Sequence, residues 1–222
     1  MAQCQFSVKL TWKLTDWMSK HNRQRPRARS RAFRSPKRRL LVLCEGRLTE
    51  PQYLTGLKIS ERKPSVEIEI PDVQGTPLTL VKEGVDRKRQ SEKESKRQKD
   101  EFLKYDEVWC VFDKDEHPYV PDALQLARSN GIKIALSNPC FELWLLLHFR
   151  DQPGARHRHD VQQLVGQHVS GYEKKIDFTN FVDGIDDATR RAARLDSDAE
   201  EEGELCRNPT TGVYKLILSI RS

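Results

Sequence analysis

The chain has 222 residues, with 39 Lys or Arg against 33 Asp or Glu, a net charge of +6 and a mean hydropathy of −0.74. That length suffices for one good-sized domain with an appendage. No run has the length and apolarity of a transmembrane helix or a signal-peptide core, so a soluble, cytoplasmic protein is expected.

The cysteines Cys4, Cys44, Cys110, Cys140 and Cys206 are odd in number and scattered, without a C-x-x-C pair. That argues against a disulfide scaffold or a zinc knuckle, and Cys44 and Cys110 read as small buried hydrophobes. The charge is unevenly spread. Up to Arg39 there are twelve basic residues and one acid, a net +11, which leaves −5 of the total +6 for the remainder. A basic arm on an acidic body predicts a polyanion partner, most often nucleic acid.

Taken in order, Val8, Leu10, Trp12 and Leu14 alternate with polar residues as in a strand. Met18-Ser19-Lys20 looks like a natural start, so residues 1–17 are either an extra edge strand or an extension ahead of the true beginning. From Lys20 to Arg39, ten of twenty residues are basic and none is acidic. Self-repulsion predicts a disordered arm over residues 1–39. Its Arg23, Arg25, Arg27, Arg29, Arg31, Arg34, Lys37, Arg38 and Arg39 would track phosphates, or else form a solubilising tail.

Leu40–Cys44 is a continuous apolar run, as in a strand buried on both faces, and it stops at Glu45-Gly46. Thr49 and Gln52 read as the capping box of a following helix, with Pro51 in its first turn. Val66–Ile70 alternates, which suggests a sheet edge. Leu78 to Gln98 reads as a helix whose charged later part, from Arg87, projects into solvent. Val108–Phe112 is a second continuous apolar strand. Asp113 and Asp115 follow it, and in an extended chain residues two apart face the same side.

Pro121–Asn130 reads as a helix stopped at Gly131, and Ile132–Leu136 as a strand. Phe141–Phe149 reads as an apolar helix with Glu142 near its start. Asp160–Val169 is an amphipathic helix with Asp160 and Gln163 as capping box. Ile185–Ala199 is a helix, Asp196–Glu204 an acidic linker, and Asn208-Pro209 the start of a last helix through Ile220.

Alternating strands and helices from Leu40 to Phe149 predict a parallel α/β sheet, whose ligands bind beyond the carboxyl ends of its strands. Glu45, Asp113, Asp115 and the Ser137-Asn138 turn all fall at such ends. Carboxylates gathered there call for a hard cation, Mg²⁺ or Mn²⁺. Asp113 and Asp115 would hold it for phosphoryl transfer. Glu45 would complete the metal shell or act as general base. His117 could move a proton or lie idle in its loop. Glu142 is a further metal ligand or an electrostatic helix cap. His148, among Leu and Phe, reads as a core histidine.

Glu45-Gly46 after one strand and Asp113-x-Asp115 after a later one are similar to the Toprim domain of topoisomerases, primases and OLD-type nucleases. More specifically, CEGRLTEPQYL, VWCVFDKDEH, ALSNPCFELWLLLHF and NPTTGVYKLI resemble the RloB family, over about Leu40 to Ile220. The resemblance implies a Toprim-like sheet flanked by helices over residues 40–150, with a helical C-terminal extension over 151–222. It implies Glu45 as acid/base or metal-associated residue and Asp113 and Asp115 as Mg²⁺ ligands. It also implies bacterial defence against phage beside an ABC-type ATPase partner. The expected activity is metal-dependent endonuclease cleavage of DNA or RNA, tRNA included. A non-catalytic nucleic-acid-binding or regulatory subunit of an ATPase is the alternative. An aspartyl-phosphate phosphatase fits less well, because His117 stands where that site has Thr or Val.

Overall fold

The computed structural model describes residues 37–62, 66–73, 75–114, 119–173, 175–204 and 206–222. The expectations for residues 1–17 and for the arm through Arg34 lie outside these residues, as do those for Asp115 and His117.

Among the described residues, five strands form one sheet. They are β1 (Arg38–Cys44), β2 (Val66–Glu69), β3 (Glu107–Asp113), β4 (Lys133–Asn138) and β5 (Thr210–Thr211), in the order β2-β1-β3-β4-β5. The first four are mutually parallel, and only the β4–β5 pair is antiparallel. Among the described residues, seven α-helices flank the sheet: α1 (Thr49–Glu61), α2 (Pro77–Gln98), α3 (Val120–Asn130), α4 (Glu142–Leu146), α5 (Arg158–His168), α6 (Ile185–Glu201) and α7 (Val213–Arg221). No helix among the described residues is long and apolar enough to cross a membrane.

The buried strands were readable because both their faces are covered, so every position is apolar. Leu41, Leu43, Val108, Cys110 and Phe112 turn to a layer made by α2 and α3. Leu40, Val42, Trp109 and Val111 turn to the opposite layer, made by α1, α4, α5, α6 and α7. Asp113 continues the parity of Trp109 and Val111. β2 is indeed an edge strand. α3 ends as expected at Gly131, in the left-handed conformation with φ 61°. Cys44 and Cys110 are buried thiols.

Other boundaries moved, each for a reason of tertiary contact. β1 begins at Arg38 rather than Leu40, so Arg38 and Arg39 belong to the sheet. Arg38 places its guanidinium 2.9 Å from the Glu107 carboxylate. Arg39 lies over the Tyr105 ring at 4.8 Å, and its backbone N–H donates to Asp106 Oδ2 at 2.8 Å. Lys37 precedes the strand and is exposed.

The Thr49–Gln52 capping box does not form. Thr49 is already helical, and the Gln52 side chain accepts instead from the N–H of Ile176 at 2.8 Å. Nor does Asp160 cap α5, which starts two residues earlier with His157 as N-cap. The later part of α2 keeps most of its charged residues exposed, as expected, while Ser91 and Ser95 are buried and Lys88 Nζ donates to Asn130 O at 2.9 Å. The first part of the acidic run is not a linker. Asp196 lies in α6 and accepts from Tyr214 Oη at 2.9 Å and Lys215 Nζ at 2.5 Å. After the cis Asn208–Pro209 bond comes β5, and the last helix starts only at Val213.

His148 is buried as expected, with Nε2 3.0 Å from Tyr53 Oη and Nδ1 2.9 Å from Trp144 O. Burial lowers its pKa to about 4.

Candidate active site at the carboxyl edge of the sheet

Where β1 ends, Glu45 extends the parallel ladder by donating its N–H to Val111 O at 3.0 Å. Its side chain turns across the strand ends, and Oε2 accepts from the N–H of Asp113 at 3.1 Å. The two residues singled out in sequence are therefore joined directly. Asp113, the last residue of β3, is buried, and its Oδ2 lies 3.6 Å from Arg158 Nη2. Lys114 turns elsewhere, as strand alternation requires, and donates to Cys206 O at 3.0 Å.

Three helices add their first turns to this edge. Glu142 opens α4 and is buried, and its Oε1 accepts from Gln162 Nε2 at 3.1 Å and Tyr172 Oη at 3.3 Å. Arg158 opens α5. Glu50, the second residue of α1, is also buried. Together with Glu45, Asp113, Arg47 and Leu48 they line one cleft of about 330 Å³.

Glu50 is the site residue that sequence reasoning missed. Its carboxyl folds back over Gly46, and a methyl group at position 46 would overlap it. The glycine after Glu45 was the available signal, since a residue without Cβ admits a close approach. Burial raises the Glu50 pKa first, and the negative charges of Glu142 and Glu45 raise it further. Tyr172 is raised by burial and by Glu142, and Cys140 by burial, Glu142 and Asp113.

Four carboxylates share the cleft with two guanidiniums, those of half-buried Arg158 and exposed Arg47. Such an excess of negative charge is relieved by protonating a carboxyl or by admitting a cation. The donors are all oxygen, which fits a hard divalent ion. Among the described residues, however, no three His, Cys, Asp or Glu side chains are already grouped to hold a metal ion. Asp115, the expected second aspartate, lies outside them.

A mostly parallel α/β sheet with an acid-lined cleft beyond its carboxyl edge places the chain in a definite structural class. A family model described as RloB-like protein matches residues 40–220. The chain belongs to the RloB-like family. Comparison with curated proteins and with solved structures gave no match.

Proposed function

We propose that the chain is a metal-dependent, phosphodiester-cleaving nuclease with a Toprim-like core. The observation that carries this reading is the convergence of Glu45, Glu50, Asp113 and Glu142 with Arg158 in one cleft at the sheet's carboxyl edge. Structural ion-pair networks seldom bury three acids beside so few cations, because each buried charge is costly.

Arg47, exposed, and Arg158, half-buried, hold phosphate oxygens of the backbone. The N-termini of α1 and α5 at this edge favour the same negative charge. Glu45 accepts a proton from the attacking water. Glu50 retains its proton to higher pH than an ordinary carboxyl and delivers one to the leaving oxygen. Asp113, Asp115 and Glu142 would hold Mg²⁺ or Mn²⁺, which when bound neutralises phosphate charge and acidifies water. The resemblance to phage-defence proteins supports a cytoplasmic enzyme whose activity an ABC-type ATPase releases. The arm, from Arg23 to Lys37, supplies sequence-independent attraction to DNA or RNA.

The test is cleavage of plasmid and total tRNA with Mg²⁺ or Mn²⁺, with and without an ATPase partner. Asp113→Ala should lower the rate by about 100-fold or more, the scale of removing one group that stabilises transition-state charge. It should also weaken Mn²⁺ binding measured by electron paramagnetic resonance. Metal-dependent cleavage that persists unchanged in the variant sinks the site.

The ion pair between Arg158 and Asp113 favours a second reading, because it offers the aspartate a cation of the protein's own. In that reading the chain is a non-catalytic nucleic-acid-binding or regulatory subunit. It predicts metal-independent binding, retained in Asp113→Ala, with no cleavage under any condition.

A further inference from the structure

Behind the acid cleft lies a second concavity that the proposed chemistry does not use. It has a volume of about 500 Å³ and is lined by His159, Gln162, Gln163, Tyr172 and Glu173 around Gly166. Glu142 forms the partition between the two. It lines the cleft, while its Oε1 accepts from Gln162 Nε2 at 3.1 Å and from Tyr172 Oη at 3.3 Å, both residues of the concavity's wall. These bonds fix the amide and the phenol from the cleft side. The two spaces are therefore neighbours sharing one wall.

The chemistry of the second space differs from that of the first. Among the described residues its lining has no lysine or arginine, and it carries a carboxylate, Glu173. That carboxylate repels phosphate. It offers instead two aromatic rings, His159 and Tyr172, and the amide of Gln163, which both donates and accepts. The Tyr172 ring is partly buried against the hydrophobic core, which holds it in place, and the exposed His159 ring sits 5.0 Å from that of His157. Flat rings beside an amide and a carboxylate are the groups that stack on, and hydrogen-bond to, the edge of an unpaired base.

We propose that this concavity binds one nucleobase next to the phosphate held in the acid cleft. The substrate would then be nucleic acid unpaired at that position, a single strand or a loop. A base stacked in a duplex cannot enter a separate pocket without being extruded. This rests on the nuclease reading for the identity of the neighbouring phosphate, but its test reads binding rather than cleavage.

The experiment uses the full chain and short, fluorescently labelled single-stranded DNA and RNA oligonucleotides. A single abasic position is moved along each, and affinity is followed by anisotropy with Ca²⁺ supplied as the hard cation for the acid cleft. Wild type should lose about tenfold in affinity when one position lacks its base, the scale of a base stacked on an aromatic ring. Gln163→Ala and Tyr172→Ala should make that position indifferent, whereas Tyr172→Phe should keep the sensitivity because the ring remains. Gln163 is exposed, so its variant keeps the test open if Tyr172→Ala does not fold. A matched duplex should bind more weakly than the single strand.

The proposal is overturned by equal affinity at every abasic position, by sensitivity that survives in Gln163→Ala, by a duplex that binds as tightly as the single strand, or by no binding to unpaired oligonucleotides at all. Position-specific loss without metal-dependent cleavage would sink the nuclease reading and leave the base pocket standing. Cleavage without base sensitivity would do the reverse.

Discussion

On one side of the sheet, α2 and α3 cover the strands with small and aliphatic residues, Leu80, Val81, Val85, Ala123 and Ala127. On the other, Tyr53, Phe141, Trp144, His148 and Phe181 pack edge to face around a common centre. Glu50, Glu142 and Arg158 all start helices of the second side. Aromatic rings are large and stiff, and their contacts are directional. A helix resting on them is held in position along its axis as well as against the sheet. The aliphatic side stabilises the fold, while the aromatic side also sets where the first turns of α1 and α4 stand.

The strongest challenge to this contrast is a pair of truncations. Trp144→Ala should cost about 3–5 kcal/mol and Leu80→Ala about 2–5 kcal/mol in denaturant unfolding, since both side chains are fully buried. Only the tryptophan variant should also lose activity per folded molecule, because Glu142 sits half a turn away. Equal losses of activity in the two variants would break the comparison.

A smaller effect is expected from pH. His148 has a folded-state pKa of about 4, below the ordinary 6.5, because burial disfavours its charged form. The unfolded chain therefore takes up a proton that the folded one refuses. Stability is complete above pH 6.5 and falls as pH drops toward 4, by on the order of 3 kcal/mol at pH 4. Urea midpoints across that range should fall accordingly, and His148→Gln should flatten the slope. No difference between wild type and this variant would show that the ring is not held neutral.

The smallest expected effect has the opposite sign. Glu50 is raised above its ordinary value, so its contribution to stability declines as pH rises past 4.5. Glu50→Gln should stabilise the protein at neutral pH by about 1 kcal/mol while reducing cleavage, the usual exchange of stability for function at a strained site. The gain should grow as pH rises past 4.5. A variant less stable than wild type throughout would mean that Glu50 is a structural ion rather than a functional acid.

What the sequence disclosed follows the same division. β1 and β3 announce themselves by unbroken apolar runs, and α3 by its terminal glycine, because these signals are local. Glu45 and Asp113 were found because the fold class itself gathers strand ends. Glu50 was hidden, since its raised pKa comes from burial by tertiary packing and from the charge of Glu142, nearly a hundred residues away in the chain. The caps at Thr49 and Asp160 misled for a related reason. Gln52 is claimed by Ile176, 124 residues distant, and tertiary demand overrides a local motif worth about 1 kcal/mol.

The closeness of Gly46 to the Glu50 carboxyl ties these two positions into one unit of inheritance. A methyl at 46 meets only the movable tip of a side chain, so the fold can absorb it by pushing that tip aside. What is displaced is the acid of the cleft. Selection would see an alanine there through lost chemistry rather than through misfolding, and a lineage could leave glycine only after shortening residue 50.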